Sequence, residues 1–172
     1  MRNDMAETLI VQGDTKDERY RTLLPQAKAL LSGETDVIAA LANLTAAIQM
    51  SFNWLWTGFY LVKDQALVLG PFQGPIACSR IPYGRGVCGA AWKENRCLVV
   101  PNVDEFPGHI ACSSAAKSEI VLPVHAADGT VVAVLDIDSD TQAAFDETDA
   151  RYLQELVEAL SPLFTNLAAV NS

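Results

Sequence analysis

The chain has 172 residues, half of them apolar, with 21 acidic against 12 basic side chains and a formal net charge of −9. That length buries one real core and leaves too little for a second, so residues 1–172 are read as one domain with 1–16 a flexible or extended lead-in. No basic patch is available to neutralise phosphates, so nucleic acid and membrane surfaces are excluded as favoured partners, and a small molecule or a protein fits better.

The N-terminus is charged, with no apolar leader behind a basic start, and no apolar run reaches the length that crosses a bilayer, so a cytoplasmic location is expected. Tyr20, Leu23, Leu24, Ala27, Leu30 and Leu31 recur at helical spacing between Asp17 and Leu31, where Ser32-Gly33 stops them. Asp36 caps a second helix through Val37, Leu41, Leu44 and Ile48, apolar on a broad stripe. Trp54 to Val62 is aromatic and β-branched and predicts a strand that places Trp54, Trp56 and Tyr60 on one parity; Lys63-Asp64-Gln65 turns it into a second strand from Ala66 to Phe72. A Gly- and Pro-rich stretch follows, then a short helical pattern from Val87 to Lys93, a brief strand from Cys97 to Val100, and a loop from Pro101 to Ala111.

Strands from Glu119 to Ala126 and from Thr130 to Asp138 flank Asp128-Gly129, a strong short-range hairpin signal. Asp146 opens the last helix, whose Tyr152, Leu153, Leu156, Val157 and Leu160 form an apolar stripe. Tight turns join neighbouring strands, so the fold class is α+β. It has an antiparallel sheet with N- and C-terminal helices on one face and a ligand or active-site pocket on the other.

A two-residue Asp128-Gly129 turn sets Ile120, Leu122, Val124 and Ala126 opposite Ile137, Leu135, Ala133 and Val131, an apolar face that belongs on the core. The opposite face sets Glu119 across from Asp138 and Val121 across from Asp136, three carboxylates in one neighbourhood flanked by Val121, Val132 and Val134. Such a group can hold a divalent metal, bind an ammonium, or keep one carboxyl protonated because its neighbours resist another negative charge.

Four cysteines, Cys78, Cys88, Cys97 and Cys112, lie in the middle of the chain with no close pair and only His109 and His125 for a metal, so neither a structural zinc site nor a stable disulfide scaffold is expected. Inert buried thiols and redox-active thiols both remain open.

The segments PIACSRIPYGRGVCGAAW and PGHIACSSAAKSEIVLPV, followed by LDIDS, resemble those of the free methionine-(R)-sulfoxide reductases built on the GAF fold, from the helix near Tyr20 to the last helix. The resemblance implies reduction of free L-methionine-(R)-sulfoxide without a metal or organic cofactor, with electrons passed from NADPH through thioredoxin reductase and thioredoxin. Cys112 stands at the family's catalytic thiol, and Cys78 and Cys88 at the positions that resolve the intermediate by forming a disulfide; which of the two dominates is open. Trp56 and Tyr60 stand where the family lines its methyl pocket, while Cys97 reads as packing.

Chemically, a Cys112 thiolate attacks the sulfoxide sulfur and becomes a sulfenic acid, which a second thiol condenses with. The opposed Glu119 and Asp138 supply a general acid and Asp136 an anchor for the substrate ammonium, although the three acids can exchange roles. The helix opening at Val87 and Cys88 offers backbone amides to the substrate carboxylate. The alternative is a GAF module that senses a small molecule or redox state without catalysis. A metal-dependent hydrolase built on the three acids leaves the thiols unused. A homodimer paired through the first and last helices is a further expectation.

Overall fold

Thr15 starts the first helix by accepting from the Glu18 amide while the Glu18 carboxylate accepts from the Thr15 amide, which satisfies two of the donors that a helix start leaves unpaired. A computed structural model describes residues 8–164. Helix α1 runs Lys16–Leu31 and α2 runs Val37–Phe52, with the Asp36 side chain accepting from the Ala39 amide. Of the lead-in, residues 1–7 lie outside the described residues; Ile10 and Gln12 are tied to Gln26 and Thr22 of α1 by hydrogen bonds.

Strands β1 (Trp56–Lys63), β2 (Ala66–Gln73), β3 (Arg80–Pro82), β4 (Leu98–Val100), β5 (Ser118–His125) and β6 (Val131–Ser139) form one antiparallel sheet in the order β3-β2-β1-β6-β5-β4. Helix α3 (Gly86–Glu94) lies between β3 and β4, and α4 (Glu147–Ala159) follows β6 with Asp146 as its cap. This is the expected α+β architecture, and it contains β3, an edge strand that the sequence does not announce.

Two apolar clusters lie on opposite faces of the sheet. One packs α1, α2 and α4 on Phe59, Ile120, Leu122, Val124, Ala133, Leu135 and Ile137, so the face expected to be core is core. The other gathers Trp56, Tyr60, Leu67, Ile81, Val87, Ala91, Val121 and Val134 around α3. Alternate strand residues point to opposite faces, which is why Phe59 and Tyr60, both buried, belong to different cores.

The β5–β6 pairing follows the expected register from Ser118↔Ser139 to Val124↔Ala133 and then departs from it. His125 faces Val131, and Ala126 donates to the Thr130 carbonyl while its own carbonyl accepts from the Gly129 amide. The turn is therefore Ala127-Asp128-Gly129, three residues with Gly129 at φ 86, rather than Asp128-Gly129 alone. One extra residue in β6, Val132, restores the register on the side where the carboxylates stand.

Trp54 corrects a second expectation. Asn53 ends α2 in the left-handed conformation (φ 52), β1 begins only at Trp56, and Trp54 stacks on Phe52 and meets Phe145 at a tilt in the helical core. It does not share a face with Trp56 and Tyr60.

Candidate active site

The register of β1, β6 and β5 sets Trp56, Asp138 and Glu119 in one row across the sheet and Gly58, Asp136 and Val121 in the next. Gly58 lets the Trp56 ring lie flat over the strand, since a Cβ there would stand 2.6 Å from that ring and 2.4 Å from the Phe72 Cβ. Trp56 in turn stacks on Phe72 (5.3 Å) and Tyr60 (5.8 Å), giving the pocket an aromatic wall.

Glu119 and Asp136 are each 6 % exposed, and Asp138 is half-buried. Burial and then the negative charges of Asp136 and Asp138 hold the Glu119 carboxyl well above its ordinary range. Asp138 is raised by burial and by Asp136, whereas burial pushes Asp136 up to about 6. Asp136 Oδ1 has no hydrogen-bond partner among the described residues, so a buried acceptor is left for something that enters the pocket.

Cys88, in the first turn of α3, is buried and donates from Sγ to Glu119 Oε1 at 3.8 Å. Burial and the acids beside it push its thiol well above the usual range, which leaves it a poor nucleophile in this state. The ligand atoms of Cys88, Glu119 and Asp136 lie within 4.8 Å of one another, a set able to face a cation. A metal would require all three to be deprotonated, against the direction in which burial moves them.

Cys78 and Cys112 are joined by a disulfide with Cα atoms 5.3 Å apart, although 34 residues separate them in the chain. Both are partly exposed, and Cys112 lines the pocket that also holds Trp56, Tyr60 and the three acids. Cys78 is fixed from below, its carbonyl accepting from the Tyr60 hydroxyl at 3.0 Å, while the Trp56 indole donates to the Pro75 carbonyl at 3.1 Å. Cys97 packs at the helical core, and burial pushes its thiol up to about 11.

The start of α3 forms another wall through Gly86, Val87 and Cys88. Arg85 is the N-cap but makes no side-chain cap, so the amides of the first turn, whose residues line the pocket, have no partner within the helix.

All the candidate residues named from sequence, Cys112, Cys78, Cys88, Glu119, Asp138, Asp136, Trp56, Tyr60 and Val87, therefore gather at one pocket, Cys78 through its bond to Cys112. His109 also lines it, with Nε2 3.8 Å from Glu119 Oε2 and a pKa lowered by burial. In the sequence His109 stands out only as a candidate metal ligand. The one local signal is the Pro107-Gly108 turn directly before it, after which His109 and Ile110 line the pocket.

A GAF domain family profile matches residues 34–164. GAF domain-containing protein A of Dictyostelium discoideum is 55% identical over 157 residues, covering 91% of this chain and 99% of that protein. Free methionine-R-sulfoxide reductase of Escherichia coli strain K12 is 47% identical over 146 residues, covering 84% of this chain and 88% of that one. The X-ray structure of free methionine-R-sulfoxide reductase from Neisseria meningitidis in complex with its substrate is similar over 95% of this chain and 98% of that chain, with a TM-score of 0.90 at 48% identity. With this fold and these likenesses, the chain belongs to the GAF domain family and, within it, to the free methionine-R-sulfoxide reductases.

Proposed function

We propose that this protein reduces free methionine-R-sulfoxide to methionine with Cys112 as nucleophile and Cys78 as resolving thiol. The observation that carries the reading is the Cys78–Cys112 disulfide at a pocket that also holds three carboxyl groups and an aromatic wall. In the reduced protein the Cys112 thiolate attacks the sulfoxide sulfur. The sulfur–oxygen bond breaks, the substrate sulfur gains two electrons, and Cys112 keeps the oxygen as a sulfenic acid. The Cys78 thiol then displaces that oxygen as water and forms the disulfide.

The shifted carboxyls divide the supporting roles. At neutral pH Asp136, pushed only to about 6, is the acid that carries charge and pairs with the substrate ammonium. Glu119, held well above its ordinary range, keeps a proton to give to the departing oxygen, with half-buried Asp138 across the strand as its partner. The uncapped start of α3 receives the substrate carboxylate, and Trp56 receives the methyl group. A peptide-bound sulfoxide would have neither free terminus and would leave both subsites unpaired.

All electrons in this cycle pass through thiols, so it calls on no metal or organic cofactor. Thioredoxin, reduced through NADPH and thioredoxin reductase, would return the disulfide to two thiols. The test is NADPH consumption with these two proteins and free R or S sulfoxide, on wild type and Cys112→Ser. Turnover with the R form alone, lost in Cys112→Ser, is expected. Ligand binding without turnover of either form would make the protein a sensor.

A further inference from the structure

The surface around the disulfide differs from the rest of an acidic chain. Gly70 to Ser79 contains no Asp, Glu, Lys or Arg, and neither does Phe106 to Ala116, although the protein as a whole carries a net −9. These are the two segments that hold Cys78 and Cys112. Their exposed residues nearest the cysteines in the chain are Pro75, Ile76, Ser79, Ala111, Ser114 and Ala115, none of them charged, and the exposed charged side chains closest by are cations, Arg80 two residues after Cys78 and Arg85 at the pocket.

Ile76 is the outlier within those segments. It is 91% exposed, the most exposed large apolar side chain among the described residues, and lies two residues before Cys78. Its position follows from its neighbours: the Pro75 carbonyl is held inward by Trp56 and the Cys78 carbonyl by Tyr60. A short segment pinned at both ends presents the side chain between them to solvent in a fixed place, which lowers the ordering cost of a partner binding it.

We propose that Ile76 and the carboxylate-free segments around it form the docking surface for the protein dithiol that reduces the Cys78–Cys112 disulfide, with Cys78 as the sulfur attacked. This rests on the catalytic cycle proposed above. A partner whose reactive Cys-X-X-Cys pair lies in an apolar surface would cover Ile76 as its thiolate reaches Cys78. The absence of carboxylates spares an acidic partner the repulsion that the rest of this surface would impose. Attack forms a partner–Cys78 disulfide, breaks the bond to Cys112, and releases Cys112 as a thiolate that takes up a proton. The partner's second thiol then displaces Cys78, which leaves as a thiolate and is protonated. The partner loses two electrons to become a disulfide, and this protein gains two thiols.

The experiment follows thiol release from pre-oxidised protein without any sulfoxide present, using thioredoxin or dithiothreitol as reductant, on wild type, Ile76→Glu and Ile76→Leu. Because no substrate turnover is read, the result stands apart from whether the protein reduces methionine sulfoxide. Ile76→Glu should slow reduction by thioredoxin about tenfold or more, leave reduction by dithiothreitol unchanged, and be matched by no loss in Ile76→Leu. An unchanged thioredoxin rate overturns the proposal, and so does equal slowing with both reductants. Thioredoxin lacking its second cysteine should be captured on Cys78; capture on Cys112 overturns the assignment of the attacked sulfur.

Discussion

Three carboxyl groups share one face of β5 and β6, and their differing environments set what each contributes. Burial pushes Asp136 up to about 6, so between about pH 4 and 6 the folded protein keeps a proton that the unfolded chain has released. Stability therefore falls as pH rises through that window, and at neutral pH the ionised Asp136 costs on the order of 3 kcal/mol. Asp136→Asn removes the ionisation. Its Tm at pH 7 should exceed wild type by about 5–10 °C, with the gain gone at pH 4, while KM for the sulfoxide rises about ten- to a hundredfold for want of the charged partner. Calorimetry at the two pH values checks the first half and steady-state kinetics the second; a Tm that drops at pH 7 would show that Asp136 is stabilised by its neighbours instead.

At the scale of elements, α1 and α4 are joined through one buried acid. Asp149, with no exposed surface, accepts from Tyr20 at 2.7 Å, from Lys16 at 2.6 Å and from the Asp146 amide at 2.9 Å. Asp149→Ala leaves the buried Tyr20 hydroxyl and the Asp146 amide without their acceptor, while Lys16 keeps the Ala144 carbonyl and Asp146, and should cost about 2–4 kcal/mol in urea unfolding. Ordinary surface acids such as Asp140 should cost nothing measurable when replaced. The helices themselves were legible, because caps such as Asp36 and Asp146 are local and apolar stripes repeat over several turns. The facing of Glu119, Asp136 and Asp138 was legible because a strand alternates sides, but the register read from a two-residue turn holds there only because the extra residue Val132 offsets the third residue of the turn. Less visible were β3, three residues long and too short to carry a period, and the left-handed Asn53 that sends Trp54 to the other core. The turn also hid its third residue, since Asp-Gly suits a two-residue turn and a three-residue turn alike. The family resemblance left Cys78 and Cys88 both open as partners of Cys112, and the choice of Cys78 came only with the structure, as nothing local to either thiol encodes contact across 34 residues.

The whole molecule changes stability as it cycles. The disulfide closes a loop of 34 residues that contains α3, β4 and the start of the Cys112 segment. In the chain-entropy account a loop of that size stabilises the oxidised protein by about 3–4 kcal/mol over the reduced one. Adding dithiothreitol should lower Tm by about 10 °C in wild type and leave Cys112→Ser unmoved. Equal melting of oxidised and reduced wild type would mean that the native contacts of the loop already compensate for the bond.

The sheet also acts as a partition. Phe59, Leu122, Leu135 and their neighbours hold α1, α2 and α4 on one side, while the aromatic wall, the acids and the thiols occupy the other. A substitution that remodels the second side leaves the first side's packing untouched, so the domain can lose or gain a chemistry without refounding its fold. One scaffold can in this way carry a pocket that only binds or a pocket that reacts, on the same helical half.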